Sequence, residues 1–442
     1  MPPTPAPASS SRASTRCRSS ARSALADQPR TKAGRPLLWA AGLSLSLVAA
    51  LVVALLARDS RYEADTGPLD VPRASPAAAT AALTTFVDGI EARDADVMAD
   101  LAPGGDTAAR DLLAGIGRNA AALALVGVTA RYVDQVGAVD EDGTWSGVVE
   151  LTWQLDGFDP APSEADVVVT FAPDGDTLGI VGFGSADGGG RSRTPLWLRG
   201  ELSVARTAGV LVMADGTTGE ADDVAQRVTR GIQVVRRVLP DWEGPVVVEV
   251  PASGADLDET LGASPGTYAD IAAVTAAVGS GTADDAPVHV LVNPDVTDGL
   301  RRAGAQVVMS HELVHVATDA ARSAMEPWLL EGFADYVALR NTRLPDRVTL
   351  GRAVDAVRRD GLPEALPSAA DFDTRSDGLQ AAYEGAWLAC RIIAERVGEE
   401  RLVQLYGDVS GGAAIGDRLR MRGLPLGRLT ATWRGTLADL SR

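Results

Sequence analysis

The stretch of this 442-residue sequence best equipped for chemistry is His311-Glu312-Leu313-Val314-His315. Histidines four residues apart share one face of a helix, so both imidazoles can reach one Zn²⁺ while the adjacent Glu312 approaches the water on that ion. The chain holds only three histidines, which makes an accidental match to this pattern rare. Two core histidines at helical spacing would be the metal-free alternative. Apolar Val307, Val308, Leu313 and Val316 support the helix and give it a face to bury.

A catalytic zinc takes three protein ligands and keeps one position for water, so the pair needs a partner. No further His follows. Sixteen residues beyond His315 lies Glu331, within Pro327-Trp328-Leu329-Leu330-Glu331-Gly332-Phe333-Ala334-Asp335-Tyr336. Pro327 suits a first helical turn, which places Glu331 and Asp335 one turn apart on the same face. Glu331 is then the expected third ligand. Asp335 is expected to accept the free N–H of a ligand His and fix its ring. Without a metal, the two acids would form a solvated helix face.

His-Glu-x-x-His followed by Trp-Leu-x-Glu-Gly-x-Ala-Asp resembles the gluzincin metallopeptidases, in particular the peptidase MA-like group. The resemblance runs from Leu196 to the end of the chain and is dense between Val307 and Tyr336. It implies one Zn²⁺ per chain held by His311, His315 and Glu331, with Glu312 as general base and Asp335 behind a ligand His. It also implies a zincin-type domain with a strand-rich half, a helical half and a cleft between them. Aminopeptidases of this clan carry a Gly-x-Met-Glu-Asn type motif upstream. Residues 271–279 here contain Ala-Val-Thr-Ala-Ala and no acid, which favours an endopeptidase. Many relatives use a Tyr of the helical half at the oxyanion, and Tyr383 is the best match, with a packed structural Tyr as the alternative. Tyr336, beside Asp335, is expected to pack. His289 is expected to be a structural histidine in the edge strand near the cleft.

The implied reaction is hydrolysis of peptide bonds: zinc acidifies water and polarises the carbonyl, and Glu312 takes the proton and returns it to the leaving amine. The substrate is expected to be a peptide or protein. Two other readings compete. One is a non-catalytic binding or sensor protein whose zinc site is vestigial or structural; the other is a zinc hydrolase acting on a non-peptide amide or ester.

The elements around the site predict an α+β chain. Helical periodicity over residues 77–122 precedes β-runs at 126–136, 145–155, 167–171 and 178–183, which reads as helices followed by an antiparallel meander. This 77–186 unit weakly resembles the domains related to nuclear transport factor 2. It has no His and no Cys, and is expected to be a spacer or to bind a protein partner. Residues 187–195, with Gly188-Gly189-Gly190, form the expected linker to a 196–442 domain. That domain opens with strands near 202–204 and 210–213, a helix over 222–238, and strands at 246–250, 271–277 and 288–292.

The formal charge of −18 argues against nucleic acid as a partner. Residues 1–36 nevertheless carry seven basic groups against one acid, a net of +6 that leaves −24 on the remainder. Residues 37–57 have no charge, no Pro and one Gly, and as a helix would span about 31 Å, close to a bilayer's hydrocarbon thickness. The expectation is a cell-membrane protein with a single transmembrane helix in the bilayer at 37–57, a cytoplasmic basic tail, a stalk at 58–76 and an extracytoplasmic catalytic domain. Two cysteines, Cys17 and Cys390, exclude a disulfide framework and a Cys-rich zinc module.

Overall fold

The computed structural model describes residues 73–184, 193–279 and 286–442. All of them belong to one compact unit, Val71–Arg442.

Helix α1 (Pro76–Ala92) starts where the Ser75 side chain accepts from Ala78 N and Pro76 fills the first turn. Its Leu83, Phe86 and Ile90 are buried at helical spacing. A short helix, Ala95–Ala99, leads to α2 (Thr107–Leu123), capped by Asp106. Four strands follow, β1 (Leu125–Val136), β2 (Trp145–Leu155), β3 (Ser163–Asp174) and β4 (Thr177–Phe183), paired antiparallel in chain order. Burial alternates strictly along β2, with Trp145, Val149, Leu151, Trp153 and Leu155 facing the helices and intervening residues half-covered. This helices-then-meander order agrees with the sequence pattern.

The second sheet is built from β5 (Ser203–Arg206), β6 (Val210–Ala214), β7 (Val246–Val250), β8 (Ala273–Ala277) and β9 (Val288–Val292), in the order β5-β6-β7-β9-β8. Helix α3 (Thr218–Val235) crosses between β6 and β7, which lie parallel, as do β7 and β9; the two outer pairs are antiparallel. The chain is therefore mixed α/β, which corrects the α+β expectation. An 18-residue helix between two strands is a crossover that brings the second strand back parallel to the first.

Both faces of this sheet are covered. Val210, Val212, Val246, Val248 and Val290 join a core with the helices that follow: α4 (Arg302–Thr318), α5 (Pro327–Leu339), α6 (Gly351–Asp360), α7 (Leu379–Val397), α8 (Glu399–Ser410) and α9 (Leu426–Ser441). Alternate residues Leu211, Met213 and Val247 join the core of α1, α2 and the meander instead. The N-terminal elements thus form a layer on the sheet. Asn119 at the end of α2 fastens it, its amide donating to the Trp197 and Gly200 carbonyls (3.0 and 2.6 Å) and its Oδ1 accepting from Leu202 N (2.9 Å). Most of the expected linker, residues 187–192, lies outside the described residues.

Among the described residues, no helix is long and apolar enough to cross a membrane. The longest, α7, carries Glu384, Arg391, Glu395 and Arg396, and α3 carries five charged side chains in its first thirteen residues. The described residues therefore give no support to the expected single transmembrane helix or to the cell-membrane localisation drawn from it, including the split between a cytoplasmic N-terminus and an extracytoplasmic catalytic domain. The run at 37–57 and the stalk lie outside the described residues, as does Cys17.

Candidate metal centre

Helix α4 brings His311, Glu312 and His315 against the sheet. It can approach α3 closely because position 231 is Gly: a Cβ there would lie 2.6 Å from Leu313 Cδ1. The helix ends at Asp319, whose left-handed backbone (φ 51°) turns the chain back toward α5. Pro327 opens α5, which presents Glu331 and Asp335 one turn apart. Gly332 is needed beside Glu331, since a Cβ there would meet Ala386 O of α7 at 2.4 Å. That close crossing of α5 and α7 sets Tyr383 over the site, its ring centroid 6.0 Å from that of His311.

Three donor atoms converge. His311 Nε2 and His315 Nε2 are 3.0 Å apart, and Glu331 Oε2 lies 3.1 Å from the first and 3.3 Å from the second. Tetrahedral bonds of about 2.0–2.1 Å place ligand atoms about 3.3 Å apart, so this spacing suits a zinc-sized ion. The orientation of the ring also suits it. His311 Nδ1 lies 2.8 Å from Asp335 Oδ1, where an Nδ1–H can donate, so Nε2 is the nitrogen turned toward the other two donors and the one a metal would take. Asp335 is expected from the sequence behind one of the two candidate ligand histidines, and the one it contacts in the structure is His311. His315 has no such partner: its Nδ1 is buried without a hydrogen bond.

The field at the centre is negative. Burial opposes a charge on His311, yet Asp335, Glu331 and Glu312 together raise its pKa well above the ordinary value. Burial likewise disfavours the Glu331 carboxylate, but His315 and His311 outweigh it and hold the group far below the usual range. Two imidazoles enclosed by three carboxylates form a donor set that suits a divalent cation.

One side of the cleft was not legible in the sequence. Thr275, on β8, donates its Oγ1–H to Glu312 Oε2 at 2.7 Å, with Glu312 O at 3.2 Å. Strand β8 is an outer strand of the sheet, and Ala273, Val274 and Thr275 line the cleft with the metal donors, Tyr268 and Tyr383. Burial pushes the Tyr383 hydroxyl pKa far above its ordinary value, helped by the charges of Glu331, Glu312 and Asp335. Tyr336 points elsewhere, donating to Glu399 Oε2 at 2.8 Å. Asp270, three residues before β8, lies exposed at the cleft margin, just outside the acid-free run noted in the sequence.

His289 departs from expectation. It sits on β9, which is an inner strand because β8 pairs outside it. Its side chain faces the N-terminal layer, away from the donors.

Comparison with protein-family models finds no match for this chain, and comparison with curated proteins finds no relative.

Proposed function

We propose that this protein is a zinc-dependent metallopeptidase of the gluzincin kind that cleaves within peptide chains. The observation that carries the reading is the convergence of His311 Nε2, His315 Nε2 and Glu331 Oε2 beside a Glu312 that is held from the facing strand. His311, His315 and Glu331 would hold the metal. When bound, zinc supplies a Lewis acid that polarises the scissile carbonyl and acidifies a water.

The chain's own groups do the rest. Glu312 accepts the water's proton and delivers it to the leaving amine. Thr275 fixes one oxygen of that carboxylate and leaves the other for proton transfer. Asp335 keeps His311 in the tautomer that offers Nε2 to the metal. Tyr383 keeps its proton at neutral pH and so can donate to the oxygen that becomes negative during attack. The outer edge of β8 offers backbone groups to which an extended peptide can pair. No fourth protein donor joins the metal-binding group among the described residues, which supports a catalytic rather than a structural site.

The test is to load the full-length protein with zinc, quantify the metal, and incubate it with a mixed peptide library read by mass spectrometry. Cleavage at interior bonds that stops with chelation is expected. Turnover no greater than that of Glu312→Gln would overturn the reading.

A further inference from the structure

On the sheet face opposite the metal centre, three ionisable side chains meet where the N-terminal layer rests. His289 Nδ1 lies 2.7 Å from Glu249 Oε1 on β7, and His289 Nε2 lies 2.9 Å from Asp159 Oδ1 in the loop after β2. The three residues are 1, 5 and 7% exposed. Asp159 is itself tied to its layer, because its Oδ2 accepts from Leu155 N at 3.1 Å. The imidazole therefore joins a carboxylate of the sheet to a carboxylate of the layer above it. Both ring nitrogens can donate at once only when the ring is protonated.

We propose that Asp159, His289 and Glu249 form a proton-dependent latch that holds the N-terminal layer against the sheet and loosens when the imidazole loses its proton. The neighbours set the sign. Strand β8 contributes only Ala276 and Ala277 beside His289, and Trp153, Leu155, Ala165, Thr260 and Leu291 bring no charge. Among the described residues, Arg193 is the one cation lining the same small cavity, and its Nη1 is engaged by Gly279 O at 2.7 Å. Deprotonation would therefore leave two buried carboxylates around a neutral ring, with one nitrogen no longer able to donate.

Burial opposes the charged ring, but Asp159 and Glu249 prevail and raise its pKa to about 9. A folded value above the unfolded 6.5 means that the latch stabilises fully below about pH 6.5 and fades as pH rises through about 9. The latch does not depend on the peptidase reading, although it lies close to that site. His289 pairs with Ala276 across the strands, and the next pair along is Val290 with Thr275, the residue that holds Glu312.

The test uses the full-length protein with ¹⁵N-labelled histidines, of which there are three, and His289→Gln to identify the resonance. The parent imidazole should titrate near pH 9, and Asp159→Asn should move that midpoint at least tenfold in proton affinity toward the ordinary value of about 6.5. In thermal melts, the advantage of the parent over either variant should be large at pH 6.5 and shrink toward zero by pH 10. Should His289→Gln fail to fold, Asp159→Asn carries the comparison, with the most downfield-shifted unligated imidazole followed directly. An imidazole midpoint near 6.5, or a stability difference equal at both pH values, would overturn the latch. So would an Asp159→Asn midpoint identical to the parent's, since the N-terminal layer would then have no hold on the proton.

Discussion

Asp335→Asn separates the proposed support for a metal ligand from the ligand itself. Asp335 Oδ1 accepts His311 Nδ1–H at 2.8 Å, and the two side chains are 18 and 11% exposed, so solvent screens the bond only weakly. Asn keeps the shape and an acceptor oxygen but removes the charge. A hydrogen bond to a charged group contributes about 1.5–3 kcal/mol and a neutral one about 0.5–1.5, so the substitution costs about 1–1.5 kcal/mol. At about 1.4 kcal/mol per factor of ten, zinc affinity should weaken about tenfold. That is the lower end of the 10–100-fold range for such partners. Asp335→Ala strands the buried N–H and should sit at about the upper end.

The assay is competition for zinc against a chromophoric chelator at fixed pH, with parent, Asp335→Asn, Asp335→Ala and His311→Ala in parallel. The expected order of affinity is the order of that series, and excess zinc should restore turnover to the two Asp335 variants. Parent-like affinity in Asp335→Ala would refute the reasoning, because the 2.8 Å bond would then contribute nothing to holding the ring. Loss as complete as in His311→Ala would refute it differently, by making Asp335 a ligand.

His311→Ala should lose most of the bound zinc, read by elemental analysis; metal content equal to the parent's would remove His311 from the ligand set. Glu312→Gln should keep zinc and thermal stability while losing nearly all peptide turnover, because an amide cannot take the proton. Thr275→Val removes the donor to Glu312, and losing a hydrogen bond to a charged group should cut kcat about 10–100-fold at unchanged zinc content, with Thr275→Ser close to the parent; an unchanged kcat would make the contact incidental. Gly332→Ala should lower both the melting temperature and zinc retention, since its Cβ would have to displace the Ala386 carbonyl; parent-like values would mean that α5 and α7 can part without disturbing Glu331.

The donor set was legible because its geometry is local. Four-residue spacing on one helix fixes His311 and His315 relative to each other, and Pro327 with the same spacing fixes Glu331 and Asp335. Only the pairing of Asp335 with His311, rather than His315, needed the tertiary structure. Thr275 was hidden because its bond to Glu312 spans 37 residues and exists only because β8 folds back to the edge of the sheet. The same crossover misplaced His289. Strand order β7-β9-β8 puts the later strand inside, and a single sequence carries no signal for that inversion. The parallel pairs were missed for a related reason, since alternation reveals a strand but not its partner. One signal was present: residues 210–214 and 246–250 are nearly continuous apolar runs, the pattern of strands covered on both faces. That pattern leaves no open sheet face and requires a second layer, which the N-terminal elements supply.

The three histidines show how partners, rather than residue type, assign the chemistry. His311 has a carboxylate at each nitrogen, Asp335 at Nδ1 and Glu331 at Nε2, but a second imidazole, His315, lies 3.0 Å from that same Nε2, so three donor atoms converge where a cation could take the proton's place. His289 has a carboxylate on each nitrogen, so the ring carries protons on both and has no lone pair for a metal. Acidic surroundings raise the pKa of both rings; what separates them is the second imidazole beside His311 Nε2, which His289 lacks. His315 lies between these cases: its Nε2 joins the converging donors, but nothing holds its Nδ1. Among the described residues no acid orients its ring as Asp335 does that of His311. The centre is thus braced on one side only, through α5 and Asp335, which makes the close approach of α5 to α7 at Gly332 the contact on which its geometry most depends.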